Sequence, residues 1–84
     1  MTTSTLPVNQ DFDTKTAALL VQTASKFNSH ITLQIDNKTA NAKSIMGIIS
    51  LGLTAGQQIT VAAEGDDEEY VIALLENFFN PKQY

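Results

Sequence analysis

Cysteine and arginine are both absent from this 84-residue chain, and histidine occurs once. Without a thiol there is no disulfide framework, no thiol chemistry and no cysteine-ligated metal. A lone histidine has no second histidine or cysteine with which to hold zinc, so neither a metal nor a cofactor is expected. Without arginine the chain lacks the planar two-pronged fork that grips carboxylates and phosphates. Its five bases are all lysines: Lys15, Lys26, Lys38, Lys43 and Lys82. A lysine still meets phosphate as a point charge, so phosphate handling is disfavoured rather than excluded. Long apolar runs are missing as well, and nothing approaches the roughly 18 residues of a membrane span. The opening Met-Thr-Thr-Ser is neither a charged nor an apolar leader, which points to a cytoplasmic protein. The length predicts one small domain over 1–84, burying only about 60% of its unfolded surface. Nine acids against five bases leave a net charge of −4, which argues against direct contact with nucleic acid or an anionic membrane.

The patterning along the chain is mixed. Residues 1 to 9 alternate loosely around Leu6 and Val8, and Pro7 cannot donate a ladder hydrogen bond, so a strand here belongs at a sheet edge. Ala17, Leu20, Val21, Ala24 and Phe27 follow helical spacing and predict a helix from about Thr14 to Phe27. Ile31, Leu33 and Ile35 alternate with polar residues as in a half-buried strand. Asp36-Asn37 suits a tight hairpin turn, with a return strand over Thr39 to Ala42. A short helix follows in "SIMGIISLG" and stops at Gly52. Ile59, Val61 and Ala63 mark another strand. Asp66 and Glu69 then have capping-box spacing at the start of a last helix. Val71, Leu74, Leu75 and Phe78 form its expected buried stripe, and Asn80-Pro81 closes it. The order β-α-β-β-α-β-α predicts an α+β fold, with an antiparallel sheet and the helices on one face.

The short helix carries more apolar residues than one packed face needs. Ile48 and Leu51 are assigned to the core, which leaves Ile45, Met46 and Ile49 facing outward. Either the loop after Gly52 covers them, or the helix is simply buried, or they form a docking patch with Met46 as an adaptable contact. Ser44 precedes this helix. Its hydroxyl suits an N-cap, worth about 1 kcal/mol, and the same position suits a phosphate.

"NAKSIMGIISLG", preceded by "QTASKFNS" and followed by "ITVAAEG", closely resembles the HPr family of phosphocarriers of the sugar phosphotransferase system. The resemblance runs from about Thr5 to Phe79. It implies an open-faced β-sandwich of four antiparallel strands under three helices. Asn41-Ala42-Lys43-Ser44-Ile45-Met46-Gly47 is similar to the Gram-positive form of the family's regulatory serine site. There HPr kinase/phosphorylase modifies the serine that Ser44 matches, and the product is corepressor for catabolite control protein A, a LacI-type regulator. The family's contact patch for that regulator maps onto Ile45, Met46 and Ile49.

The start of the first helix breaks the family pattern. Members read Gly-Ile-His-Ala-Arg-Pro-Ala before "LLVQ"; here the span is Asp11-Phe12-Asp13-Thr14-Lys15-Thr16-Ala17. The resemblance therefore places Asp13 where the phosphorylated histidine belongs, Lys15 where its arginine belongs and Thr16 where the proline belongs. A ring nitrogen is a good nucleophile near neutral pH, and its loss together with the arginine argues against ordinary carrier activity. His30, outside any matching motif, reads as a solvated turn residue. Asp13 itself has three readings: a helix cap, the favoured one; a carboxylate mimic of phosphohistidine at a partner-facing surface; or an acyl-phosphate site fed by enzyme I. The pattern is nearest to the catabolite repression HPr-like proteins, which keep the serine and lack the histidine. The alternative is a degenerate phosphocarrier or pseudo-carrier that meets enzyme I or enzyme II components through Asp13, Lys15 and the Ile45/Met46/Ile49 patch. Lys15 weakens docking to any partner that uses the family's arginine.

Overall fold

The computed structural model describes residues 1–80. Strand β1 spans Thr2–Pro7, helix α1 Thr14–Ala24, β2 His30–Ile35, β3 Lys38–Asn41, α2 Ile45–Leu51, β4 Gln58–Glu64 and α3 Glu68–Phe79. The strands form one sheet in the order β1-β4-β2-β3, and every neighbouring pair is antiparallel. Only β2 and β3 are joined as a hairpin. Asp36 turns it with a φ of 52°, a backbone state that aspartate tolerates better than most residues. β1 lies at one edge, where Pro7, its last residue, disturbs no central ladder.

Period-two alternation gives the sheet two unlike faces. Leu6, Ile31, Leu33, Ile35, Ala40, Ile59, Val61 and Ala63 are buried on one. The residues between them, including Thr3, Thr5, Thr32 and Thr60, point the other way. Ala17, Leu20 and Ala24 of α1, Ile48 and Leu51 of α2, and Val71, Ile72, Leu75 and Phe79 of α3 cover the buried face, and Val8, Ala42 and Leu53 from the connecting segments complete the buried core. Three helices on one face of a four-stranded antiparallel sheet make an open-faced α+β sandwich, as the residue pattern predicts.

Several boundaries differ from expectation. α1 ends at Ala24 instead of Phe27. Lys26 N donates to Thr23 O at 3.3 Å and Phe27 N to Ala24 O at 3.2 Å, which is tighter winding than an α-helix. Lys43 Nζ takes the Phe27 carbonyl at 2.7 Å, and the Phe27 ring meets Tyr70 edge-on at 5.6 Å. Phe27 and Val21 are consequently half-buried. β3 runs one residue earlier than predicted, over Lys38–Asn41.

The start and phase of α3 also shift. Asp67, not Asp66, holds the N-cap position, and its side chain caps nothing in the helix. Its carboxylate turns back to accept from Asn28 N and Ser29 N, each at 3.2 Å, and from the Ser29 hydroxyl. Glu68, not Glu69, reaches back to accept from Gly65 N at 3.3 Å. Ile72 and Phe79 are buried, whereas Leu74 and Phe78 are half-buried. Apolar residues at 71, 72, 74, 75, 78 and 79 serve two overlapping stripes, and contact with β1 and β4 selects between them. Asn80 N closes the helix on Glu76 O at 3.0 Å; Pro81 lies outside the described residues.

Candidate functional site

Ser44 sits where β3 hands over to α2. Asn41 makes the turn: its Oδ1 accepts from Lys43 N at 2.8 Å, and its carbonyl accepts from Ser44 N at 3.0 Å. Ser44 is extended (φ −113°, ψ 113°), and its Oγ accepts from Gly47 N at 3.2 Å. Used as an acceptor, the hydroxyl caps the helix, and no acceptor takes its own proton among the described residues. Gly47 makes the close approach possible. A Cβ there would lie 3.3 Å from Ala40 Cβ and 3.4 Å from Ser44 Oγ, crowding both β3 and the cap. Gly52 ends the helix with a φ of 62°, in the left-handed region that glycine enters without penalty.

Seven residues give α2 two faces. Ile48 and Leu51 are buried, as assigned from periodicity. Met46 is 69% exposed and Ile49 43% exposed, so these two form an outward apolar surface beside the exposed Ser44. Ile45 is different: it is half-buried and packs against the core. Ile45 therefore adds only part of its side chain to the surface of Met46 and Ile49. Lys43 follows the same turn, but its ammonium is held by the Phe27 carbonyl and not by Ser44.

The second predicted position is the start of α1. Asp13 is extended and exposed, and its Oδ1 accepts from Thr16 N at 2.8 Å. That backbone N–H holds the Asp13 carboxyl below its ordinary value of 3.8; the Thr16 side chain and the Lys15 charge act in the same direction. Asp13 is therefore an ionised N-cap. Lys15 is exposed in the first turn of the helix.

Residue patterning missed what fixes this helix start. Phe12 stacks on Phe79 at 5.4 Å and tilts against Phe78 at 6.2 Å. Its N–H donates to Leu53 O at 3.0 Å, and Asp11 Oδ1 accepts from Ala55 N at 2.9 Å. The segment before α1 is thus pinned to the loop after α2 and to the end of α3. The signal was a lone aromatic before α1 and an aromatic pair at the other end of the chain. Asp13 thus follows a residue bonded to Leu53, just past the C-terminal end of α2, whereas Ser44 caps the start of α2. His30 opens β2, exposed, opposite Glu64 in the register. Among the described residues no three His, Cys, Asp or Glu side chains converge as a metal site, and no helix is long and apolar enough to cross a membrane.

Two helix starts at the surface are capped by side chains, α1 by Asp13 and α2 by Ser44. Residues 2–81 match the family profile described as the PTS HPr component phosphorylation site. The chain belongs to the HPr family, whose members are phosphocarriers of the sugar phosphotransferase system and not catalysts in their own right. It is 46% identical to the HPr-like protein Crh of Bacillus subtilis over 59 residues, covering 70% of this chain and 69% of that protein. The phosphocarrier HPr of Bacillus anthracis superposes with a TM-score of 0.90 at 37% identity, over 94% of this chain and 96% of that one. A crystal structure of B. subtilis Crh superposes with a TM-score of 0.80 at 36% identity, over 90% and 87% of the two chains. That structure is an intertwined dimer with a swapped domain.

Proposed function

We propose that the chain works as one HPr-like domain over 1–84, a noncatalytic cytoplasmic regulator of carbon catabolite repression. HPr kinase/phosphorylase transfers the γ-phosphoryl group of ATP to Ser44. The hydroxyl oxygen forms the new O–P bond, ADP leaves, and the proton passes to a base on the kinase. The observation that carries this reading is the exposed Ser44 hydroxyl beside exposed Met46 and Ile49. A phosphate there brings about −1.5 to −2 charges and three acceptor oxygens. Gly47 N and Ile48 N are already used on Ser44, which leaves the amides of Ile45 and Met46 at the open helix end to face the new charge.

The phosphate and the Met46/Ile49 surface, edged by Ile45, together dock on a LacI-type regulator of the catabolite control protein A kind, and that regulator alone contacts DNA. Asp13 takes the place of the family's phosphohistidine. Its carboxylate is committed to the Thr16 amide, so its role is a cap and not a phosphate acceptor for enzyme I. Incubation with HPr kinase and ATP is expected to add one phosphate, and Ser44→Ala to abolish the gain. No gain, or a gain that persists in Ser44→Ala, overturns the reading. Labelled phosphate passing from phosphoenolpyruvate through enzyme I to the wild type, but not to Asp13→Ala, would make the chain a carrier instead.

A further inference from the structure

The outward face of α2 holds one side chain that common oxidants attack. The chain has no cysteine, and its two methionines are Met1 and Met46. Met46 therefore carries the sole sulfur beyond the first residue, and it sits two positions from Ser44 in the middle of the exposed surface. We propose that Met46 is an oxidation site, and that its conversion to the sulfoxide by a peroxide switches off docking of the Ser44-phosphorylated protein. This inference rests on the docking role proposed above.

The chemistry is balanced and needs no unfolding. A thioether lone pair attacks one peroxide oxygen, the S–O bond forms as the O–O bond breaks, and the peroxide leaves as water. Sulfur is oxidised by two electrons. A dithiol reductase reverses the step, returning the thioether and releasing water and a disulfide. At 69% exposure the Met46 side chain is open to a small oxidant in the folded state. Buried Ile48 and Leu51 hold α2 from the opposite side, so the helix does not depend on Met46. Only the Met46 carbonyl is engaged, by Ser50 Oγ at 2.8 Å.

What changes is the surface. Methionine is useful in a docking patch because it is apolar and bends to fit. The sulfoxide is polar and must be desolvated when the partner covers it, without a matched donor. Ile49, 43% exposed, is the only other large apolar side chain of α2 with comparable exposure, so little apolar area remains to offset that loss.

The test treats the folded protein with hydrogen peroxide and locates the added oxygen by peptide mass spectrometry. Met46 is expected to oxidise as fast in the folded protein as in the urea-unfolded chain. A rate about tenfold slower in the folded state, the same ratio as roughly 1.4 kcal/mol of protection, overturns the proposal. The second arm measures binding of the kinase-phosphorylated protein to a catabolite control protein A by calorimetry. Oxidised wild type is expected to bind about tenfold more weakly than untreated wild type, again about 1.4 kcal/mol. Met46→Leu, which has no side-chain sulfur there, should bind with the same affinity before and after peroxide whatever its own starting affinity, and Met46→Gln should bind weakly without peroxide. Equal binding of oxidised and untreated wild type overturns the switch, as does a Met46→Leu variant that peroxide still weakens. Failure of untreated phosphoprotein to bind is a different result: it overturns the docking reading itself and takes the switch with it.

Discussion

Replacing Ser44 tests whether its oxygen is a structural cap as well as a modification site. Ser44→Ala removes the acceptor for Gly47 N. Loss of a serine N-cap costs about 0.5–2 kcal/mol, and the 3.2 Å separation here places the expected value in the lower half, at about 0.5–1 kcal/mol. For a domain of this size that lowers Tm by roughly 2–8 °C. Ser44→Asp keeps an acceptor and adds a negative charge at the helix start, worth about 0.3–1 kcal/mol at low ionic strength. The expected order of stability at low salt is therefore Asp at or above Ser, and Ser above Ala. At about 1 M salt, with a Debye length near 3 Å, the advantage of Asp should shrink while the deficit of Ala persists.

Thermal unfolding followed by circular dichroism, at both salt levels and with kinase-phosphorylated wild type as a fourth sample, reads all of this directly. An unchanged Tm for Ser44→Ala, or a Ser44→Asp variant less stable than Ser44→Ala at low salt, would refute the capping argument. The functional stake is clear. If phosphate is accommodated without refolding α2, its effect on partners comes from surface charge and not from rearrangement.

Three further outcomes follow from the packing. Ile48→Ala, at a site 1% exposed, should lose about 2–5 kcal/mol, whereas Met46→Ala should stay within about 0.5 kcal/mol; similar losses in urea unfolding would contradict the two-faced helix. Gly65→Ala puts a Cβ 2.7 Å from Ser29 Oγ and 2.8 Å from Ser29 Cα at a φ of +155°, so it should lose about 2–4 kcal/mol, and a change within experimental error would show that the β4–α3 turn yields freely. The Ser29 hydroxyl, followed by the Asn28 and Ser29 amides, holds the Asp67 carboxyl below 3.8. Because its folded value is depressed, its contribution is full above pH 3.8 and disappears as the pH falls through the lower folded value. Acid titration of Tm should be less steep in Asp67→Asn than in wild type, and equal slopes would exclude this clasp as an acid-sensitive element.

Legibility of the site depended on distance along the chain. Ser44, Gly47, Ile48 and Gly52 lie within nine positions, so cap, close approach, buried face and helix stop could all be inferred from neighbouring residues. Asp13 as an N-cap was readable for the same reason, since its partner is Thr16. Phe12 was not. Its ring partners are Phe78 and Phe79, more than sixty residues away, and no local spacing announces such a contact. Spacing puts Ile45 outward because a seven-residue helix has too few turns to define its own rotation; packing against the core half-buries it instead.

Local chemistry alone settled the element order, the hairpin at Asp36, the edge position of β1 and the burial of Ile48 and Leu51 in α2. Each of these depends on side-chain period, turn stereochemistry or a cap, which act between residues close in sequence. Tertiary contact decided which stripe of α3 is buried and where α1 unwinds. It also drew Asp67 away from its own helix to the amides of Asn28 and Ser29. Those outcomes are choices among locally equivalent arrangements. They are resolved by a buried Ser29 that must be satisfied and by core volume that only one rotation of the helix fills.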